Sequence, residues 1–319
     1  MLLTIILCAI ALAIFTATCI FGYFFIKYIR IISDNLLNIP YPLDHPRTHT
    51  IVSQDVEFTS YDGTVLNGKF ISAANGSKKT IIFCHEFGSD QQSWIKYLSG
   101  LPANGFNIFT FDFRKGKEIA GFHRNGFSPK QWPTRRELRD LFAAIEYLSK
   151  RSDVDVQQLG VFGVSKGGGL AISAAARSKR IKAVITDGAC PVSETIKDYI
   201  KKWASIYIES EFVLRHLMPD FIVGFLSCSS IHFSAVKLRS RILSVENDVR
   251  RVKPPIFLIH GGADLYIRPD HAKYLHDRAK SAGKQLWVVP GAAHNDAVVA
   301  EPEQYQNRVL NFFRGHLGV

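Results

Sequence analysis

Three residue types set far apart in the chain could together make an activated nucleophile. Gly163-Val164-Ser165-Lys166-Gly167 fits the spacing G-x-S-x-G. Chance alone supplies on the order of 0.1 such matches in a chain of this size, so the motif draws its weight from its surroundings. It ends an apolar run, Leu159 to Phe162, and opens a stretch of small residues, Gly167-Gly-Gly-Leu-Ala171. A strand that turns sharply into a helix holds a serine with its Oγ exposed, and small neighbours let the backbones close around the turn. The helix predicted from Lys166 aims its first N–H groups and its positive dipole end at the serine. A hydroxyl is a poor nucleophile without a base, and the base needs an acid to orient it. The acid and then the histidine are expected later in the chain, each just beyond a strand. Asp264, in His260-Gly-Gly-Ala-Asp264, follows the run Pro255 to Ile259. His294, in Pro290-Gly-Ala-Ala-His294, follows Lys284 to Val289. Asp187, just past the run Ile181 to Ile185, is the substitute acid; His85 and His260 are competing histidines, one too early in the chain and the other beside the acid.

Acyl transfer also needs donors for an oxyanion, each worth roughly 3–4 kcal/mol when removed. One is expected from the backbone N–H of Lys166, directly after the serine. The second is expected from His85-Glu86-Phe87-Gly88-Ser89, the loop after the run Thr80 to Cys84, with the Phe87 N–H as the choice.

The elements that must position these residues follow from periodicity. Val56 to Ser60 and Val65 to Ser72 flank Tyr61-Asp-Gly63 and read as an antiparallel hairpin. Strands are predicted at Thr80–Cys84, Asn107–Phe111, Leu159–Phe162, Ile181–Ile185, Pro255–Ile259 and Lys284–Val289, several of them continuous apolar runs of the kind buried on both faces. Helices are predicted between them, at Arg135–Lys150, Lys166–Ala176, Asp270–Ala282 and Glu303–Phe313. This alternation predicts an α/β fold with a doubly wound, mostly parallel sheet. Between about residues 190 and 253 the alternation stops, and helices are predicted at Ser193–Ile208, Glu211–Leu226 and Ala235–Val249. An insertion of that length reads as a helical cap, either a binding element or a cap burying its own core. Phe221-Ile-Val-Gly-Phe-Leu226 is apolar enough to touch an acyl chain or a bilayer.

With the elbow, the His-Gly-Gly-x-Asp segment and the Gly-x-x-His segment in this order and strand frame, the chain resembles the α/β-hydrolase superfamily. It is most similar in kind to single-span anchored esterase/lipase-like or serine-aminopeptidase-like members. The resemblance covers about Val56 to the end. It implies Ser165 as nucleophile, Asp264 as acid, His294 as base, and no metal or organic cofactor. Two positions depart from the family. Glu86 stands where a glycine often follows His85, and Asp112-Phe-Arg-Lys-Gly-Lys117 drops a later glycine. A carboxylate at 86 would repel an oxyanion unless it turns away or pairs with Lys166 or Arg114. The expected activity is hydrolysis of a carboxylic ester, lipid-derived acyl chains included, through an acyl-enzyme. Peptidase, thioesterase and acyltransferase chemistry use the same residues. A non-catalytic hydrolase-like binding protein is the alternative of a different class.

Composition narrows the partners. The 319 residues carry 39 Lys and Arg against 28 Asp and Glu, a net charge of 39 − 28 = +11, with 47% hydrophobic residues. That is neither a disordered nor a low-complexity chain. Five cysteines with no C-x-x-C pair make neither a disulfide scaffold nor a structural zinc site. The positive charge gathers loosely at Lys115–Arg139 and Arg239–Lys253, without the interleaved aromatics of a nucleic-acid surface. No charged residue occurs from Leu2 to Ile26, and such a run as a helix exceeds the ~30 Å bilayer core. A cleaved signal peptide would have a shorter apolar stretch. Residues 1–30 are therefore expected to be a single-pass anchor, 31–50 a proline-containing linker, and 51–319 the hydrolase domain. Lys27 and Arg30, on the carboxyl side of the run, favour a cytoplasmic catalytic domain.

Overall fold

The computed structural model describes residues 1–38, 51–114, 118–119, 122–123, 130–212, 216 and 218–318. It divides into two compact units, Met1–Ile39 with Lys197–Lys237, and Pro40–Ile196 with Leu238–Val319.

The larger unit is built on one eight-stranded sheet. Its strands are β1 (Gln54–Thr59), β2 (Val65–Ile71), β3 (Thr80–Cys84), β4 (Asn107–Phe111), β5 (Leu159–Val164), β6 (Ile181–Asp187), β7 (Ile256–Gly261) and β8 (Lys284–Val289). They lie in the order β1-β2-β4-β3-β5-β6-β7-β8. The β1–β2 and β2–β4 pairs are antiparallel, and every later pair is parallel. β3, β4, β5 and β7 are buried along their whole length, which is why they read as continuous apolar runs. Alternate residues face opposite layers. Phe83, Phe162, Ile185 and Phe257 face a cluster built from α2 (Trp94–Leu98) and the last helix of the chain (Pro302–His316), whose Tyr305, Phe312 and Phe313 are buried in it. α3 (Arg135–Leu148) and α4 (Lys166–Ala175) cover the other face, α4 packing on β5 and β6.

Register decides where the loops emerge. Cys84 pairs with Gly163, Val164 with Asp187, Asp187 with Ile259, and Gly261 with Val289. The carboxyl ends of β3, β5, β6, β7 and β8 therefore reach one edge of the sheet together, and the segments bearing Phe87, Ser165, Asp264 and His294 all leave from it.

The smaller unit holds α1 (Leu2–Leu37), the later part of α5 (Val192–Tyr207) and α6 (Asp220–Lys237). Two expectations change here. The first helix runs to Leu37, past the expected anchor boundary at 30, because Ile29, Ser33, Leu36 and Leu37 are buried and its last turns pack on α6. Residues 39–50 of the expected linker lie outside the described residues. The helices predicted at Glu211–Leu226 and Ala235–Val249 differ from those observed among the described residues, and residues 213–215 and 217 of the first lie outside them. One helix, α6, bridges the break between them, and only the short α7 (Val245–Asp248) follows. Ser227, Ser230 and Ser234, in the expected break, are buried on one face of α6.

Candidate active site

Ser165 sits between β5 and α4 with φ 49° and ψ −113°. A non-glycine residue held there carries about 1–3 kcal/mol of strain, so the surroundings must hold the turn. They do so through backbone: Ser165 N–H donates to the Asp187 carbonyl at 2.7 Å, and Gly169 N–H donates to the Ser165 carbonyl at 3.2 Å. They also do so through glycines. A Cβ on Gly163 would overlap the Gly167 carbonyl, and one on Gly167 would overlap the Cys84 carbonyl. The elbow and the loop after β3 are thus in backbone contact.

His294 Nε2 lies 3.0 Å from Ser165 Oγ, and His294 Nδ1 lies 2.6 Å from Asp264 Oδ2. The Asp264 carboxylate is buried and also accepts from the N–H groups of Tyr266 at 2.8 Å and Ile267 at 2.9 Å. Burial pushes its pKa up, but hydrogen bonds from His260 and His294 outweigh burial and hold it well below the usual carboxylate range. A charged Asp264 fixes Nδ1–H on His294, leaving Nε2 as the acceptor facing the serine hydroxyl. The arrangement can move a proton from Ser165 Oγ to the imidazole and hold the resulting imidazolium.

The competing residues have other partners. His260 is fully buried; its Nε2 donates to the Ile267 carbonyl at 2.8 Å and lies 3.3 Å from Asp264 Oδ2. Burial opposes its protonation, but the Asp264 carboxylate and the Ile267 carbonyl raise its pKa. His85 Nδ1 donates to the Glu86 carbonyl at 2.7 Å, and its Nε2 accepts from Phe113 N–H at 3.3 Å, so it ties two loops together. Burial lowers its pKa. Asp187 accepts from Tyr305 Oη at 2.9 Å, and burial raises its carboxyl to about 6.

Glu86 is buried and accepts from Ser93 Oγ at 3.3 Å and Tyr97 Oη at 3.5 Å. The pairing partners expected for it are engaged elsewhere. Arg114 binds Asp62 at 2.6 Å and also the buried Asp140. Lys166 Nζ donates to Glu137 Oε1, and this pair is almost fully buried, with side-chain exposures of 5% and 0%. Lys166 Nζ also lies 5.6 Å from the centre of the Phe87 ring. Glu137 holds the start of α3 as well, its Oε2 accepting from Thr134 N–H at 3.1 Å and Thr134 Oγ1 at 2.8 Å. Sequence reasoning missed Glu137. Thr134-Arg-Arg-Glu137 has the spacing of a capping box, but nothing local shows that the second carboxylate oxygen reaches the residue after the serine. Among the described residues, no three His, Cys, Asp or Glu side chains converge as a metal site.

The prolyl oligopeptidase family pattern matches residues 92–319. The uncharacterized protein YfhR of Escherichia coli O157:H7 is 31% identical over 268 residues, covering 82% of this chain and 80% of that protein. The thiohydrolase AneE of Aspergillus aculeatus is 30% identical over 142 residues, 44% of this chain and 42% of that one. Among solved structures, the Pyrococcus furiosus esterase Pf2001 superposes with a TM-score of 0.61 at 24% identity, covering 88% of this chain and 100% of the esterase. The match over residues 92–319 and the likeness to YfhR agree with the strand order and the elbow: the chain belongs to the prolyl oligopeptidase family, within the α/β-hydrolase superfamily, and has an esterase-like fold.

Proposed function

We propose that this hydrolase cleaves carboxylic esters by covalent catalysis through Ser165. The observation that carries the reading is the connected line from Ser165 Oγ to His294 at 3.0 Å and on to Asp264 at 2.6 Å. Ser165 Oγ attacks the ester carbonyl as His294 Nε2 takes its proton. The C–O bond to the leaving alcohol breaks as His294 returns that proton to the alcohol oxygen. Water, deprotonated by the same imidazole, then releases the acid and restores Ser165. Asp264 keeps the imidazole in the required tautomer throughout. The backbone N–H groups of Lys166 and Phe87 are assigned to the oxyanion. As the first residue of α4, Lys166 has an N–H that no helix carbonyl takes.

The likeness to the Pyrococcus furiosus esterase supports an ester over an amide. A thioester is the second reading, favoured by the 30% identity with the thiohydrolase AneE. The apolar α1 is read as an uncleaved single-pass anchor with the hydrolase domain on the cytoplasmic side. It is the one helix among the described residues long and apolar enough to cross a membrane. An acyl substrate drawn from or near lipid suits such an anchor.

The test is turnover of matched p-nitrophenyl ester, thioester and anilide substrates by the full chain in detergent, with Ser165→Ala and His294→Ala as controls. Ester hydrolysis lost in both variants supports the reading. Preference for the anilide, or ester turnover unaffected by Ser165→Ala, contradicts it.

A further inference from the structure

We propose that the first turns of α6 form a second membrane-contacting element, with Phe221 and Phe225 entering the interfacial layer of the bilayer that α1 spans. This rests on reading α1 as a span.

α6 lies alongside the last third of α1 in a fixed register. Phe225 stacks on Phe25 with ring centres 5.0 Å apart. Ser234 Oγ is 2.8 Å from Ser33 Oγ, and Lys237 Nζ is 2.5 Å from Asp34 Oδ1. Residue numbers rise together on the two helices, so they run parallel. Both axes climb about 1.5 Å per residue, which makes α1 a ruler for α6.

The uncharged run of α1, Leu2 to Ile26, is centred near residue 14. A hydrocarbon core of ~30 Å takes up about 20 residues, so it ends near residue 24. Phe25 stands just outside that limit, among Tyr23, Phe24 and Tyr28, the aromatic composition found at membrane–water boundaries. Phe225 is at the same height. Phe221, one turn earlier, lies about 6 Å deeper. Val236, beside Asp34, lies about 20 Å further from the bilayer than Phe221.

The side chains suit those heights. Phe221 and Phe225 are 76% and 56% exposed within the protein, although each carries a large apolar ring. From Phe221 to Val236 the helix has no Asp, Glu, Lys or Arg. Charge resumes at Lys237, bound to Asp34 on the far side of the boundary. α6 packs on α1, and its Val223, Ser227 and Ser230 are buried. Asp220, the first residue of α6, is exposed and pairs with Lys201 at 2.7 Å beside Phe221, so this end combines outward aromatics with charge, the mixture that suits the interfacial layer rather than the hydrocarbon core.

The test places an environment-sensitive NBD label on single cysteines of the full chain. The exposed native thiols Cys8, Cys19 and Cys228 are first changed to serine. Labels go at Phe221→Cys, Val236→Cys and, as a control for the span, Ile10→Cys. The protein is reconstituted into phosphatidylcholine–phosphatidylglycerol vesicles carrying nitroxide at a shallow or a deep acyl position. Position 221 should be quenched at least twofold by the shallow nitroxide, position 10 more by the deep one, and position 236 by neither. Quenching at 10 with none at 221 overturns this proposal and leaves the span standing. Quenching at neither position overturns both. Phe221 is largely exposed, so its replacement spares the fold; Phe225→Cys repeats the measurement one turn higher and should give the same pattern.

Discussion

Replacing Glu137 by glutamine isolates what the buried pair beside Ser165 does. In the folded protein the Lys166 ammonium is 5% exposed and bonded to a carboxylate that is 0% exposed. Glutamine keeps the shape of Glu137, and its amide oxygen can still accept from Thr134, so the cap of α3 survives. What it removes is the negative charge. A buried cation left without its counter-charge destabilises by about 3–5 kcal/mol. At about 2–4 °C per kcal/mol for a domain of this size, Glu137→Gln should lower Tm by roughly 6–20 °C. Removing both charges, in Glu137→Gln with Lys166→Met, should recover much of the loss, since no unpaired charge then remains buried. Glu137→Ala should be worse than Glu137→Gln by about 0.5–1.5 kcal/mol, because the reciprocal bond from Thr134 N–H to the side chain goes too. Thermal and urea denaturation of the four proteins at one pH give the comparison. A Glu137→Gln protein within 2 °C of the parent, or a double variant no more stable than the single one, would refute the reasoning.

Three further outcomes follow from the same geometry. Asp187 has its carboxyl raised to about 6 from an ordinary 3.8. The folded state therefore binds that proton more tightly than the unfolded one, so the contribution of Asp187 is fully present below about pH 4 and is lost as pH rises through 6. The difference, 6 − 3.8 = 2.2, amounts to about 3 kcal/mol. Asp187→Asn, still an acceptor for Tyr305, should flatten that decline and raise the urea midpoint at pH 8 above that of the parent. Asp264 has the opposite sign: its carboxyl is held low, so it adds stability above about pH 4 that is lost on further acidification. Asp264→Asn should cut kcat by about 10⁴-fold, with the stability loss largest at neutral pH. For membrane orientation, Cys228 is the exposed thiol outside α1, whereas Cys84 and Cys190 are buried. With Cys8 and Cys19 changed to serine, an impermeant maleimide should label Cys228 only after cells are opened; labelling in intact cells contradicts the cytoplasmic placement.

The sheet was legible because buried parallel strands must be apolar along their whole length, and Thr80–Cys84 and Asn107–Phe111 have the same limits in sequence and structure. The helix Lys166–Ala175 ends within a residue of expectation, whereas the one expected to reach Ala282 stops at Arg278 and the one expected to stop at Phe313 runs to His316. The site was legible for a related reason. The sharp turn at Ser165 and the tight loops before Asp264 and His294 leave glycines that can be read without coordinates. Long-range partners left no such mark. Nothing near Glu137 points to Lys166, and nothing near Tyr305 points to Asp187. The helical insertion was misread where α6 crosses the expected break, because serine is a poor helix former in water yet packs well against another helix. Its contact face exists only because α1, some two hundred residues earlier, lies against it.

The most direct test of the account is to map a fluorophosphonate adduct on the intact chain by peptide mass spectrometry. The account predicts a single adduct on the peptide containing Ser165, absent in Ser165→Ala and slowed by orders of magnitude in His294→Ala. A folded wild-type protein that takes no label, or one labelled at another serine while Ser165→Ala reacts as fast, contradicts it.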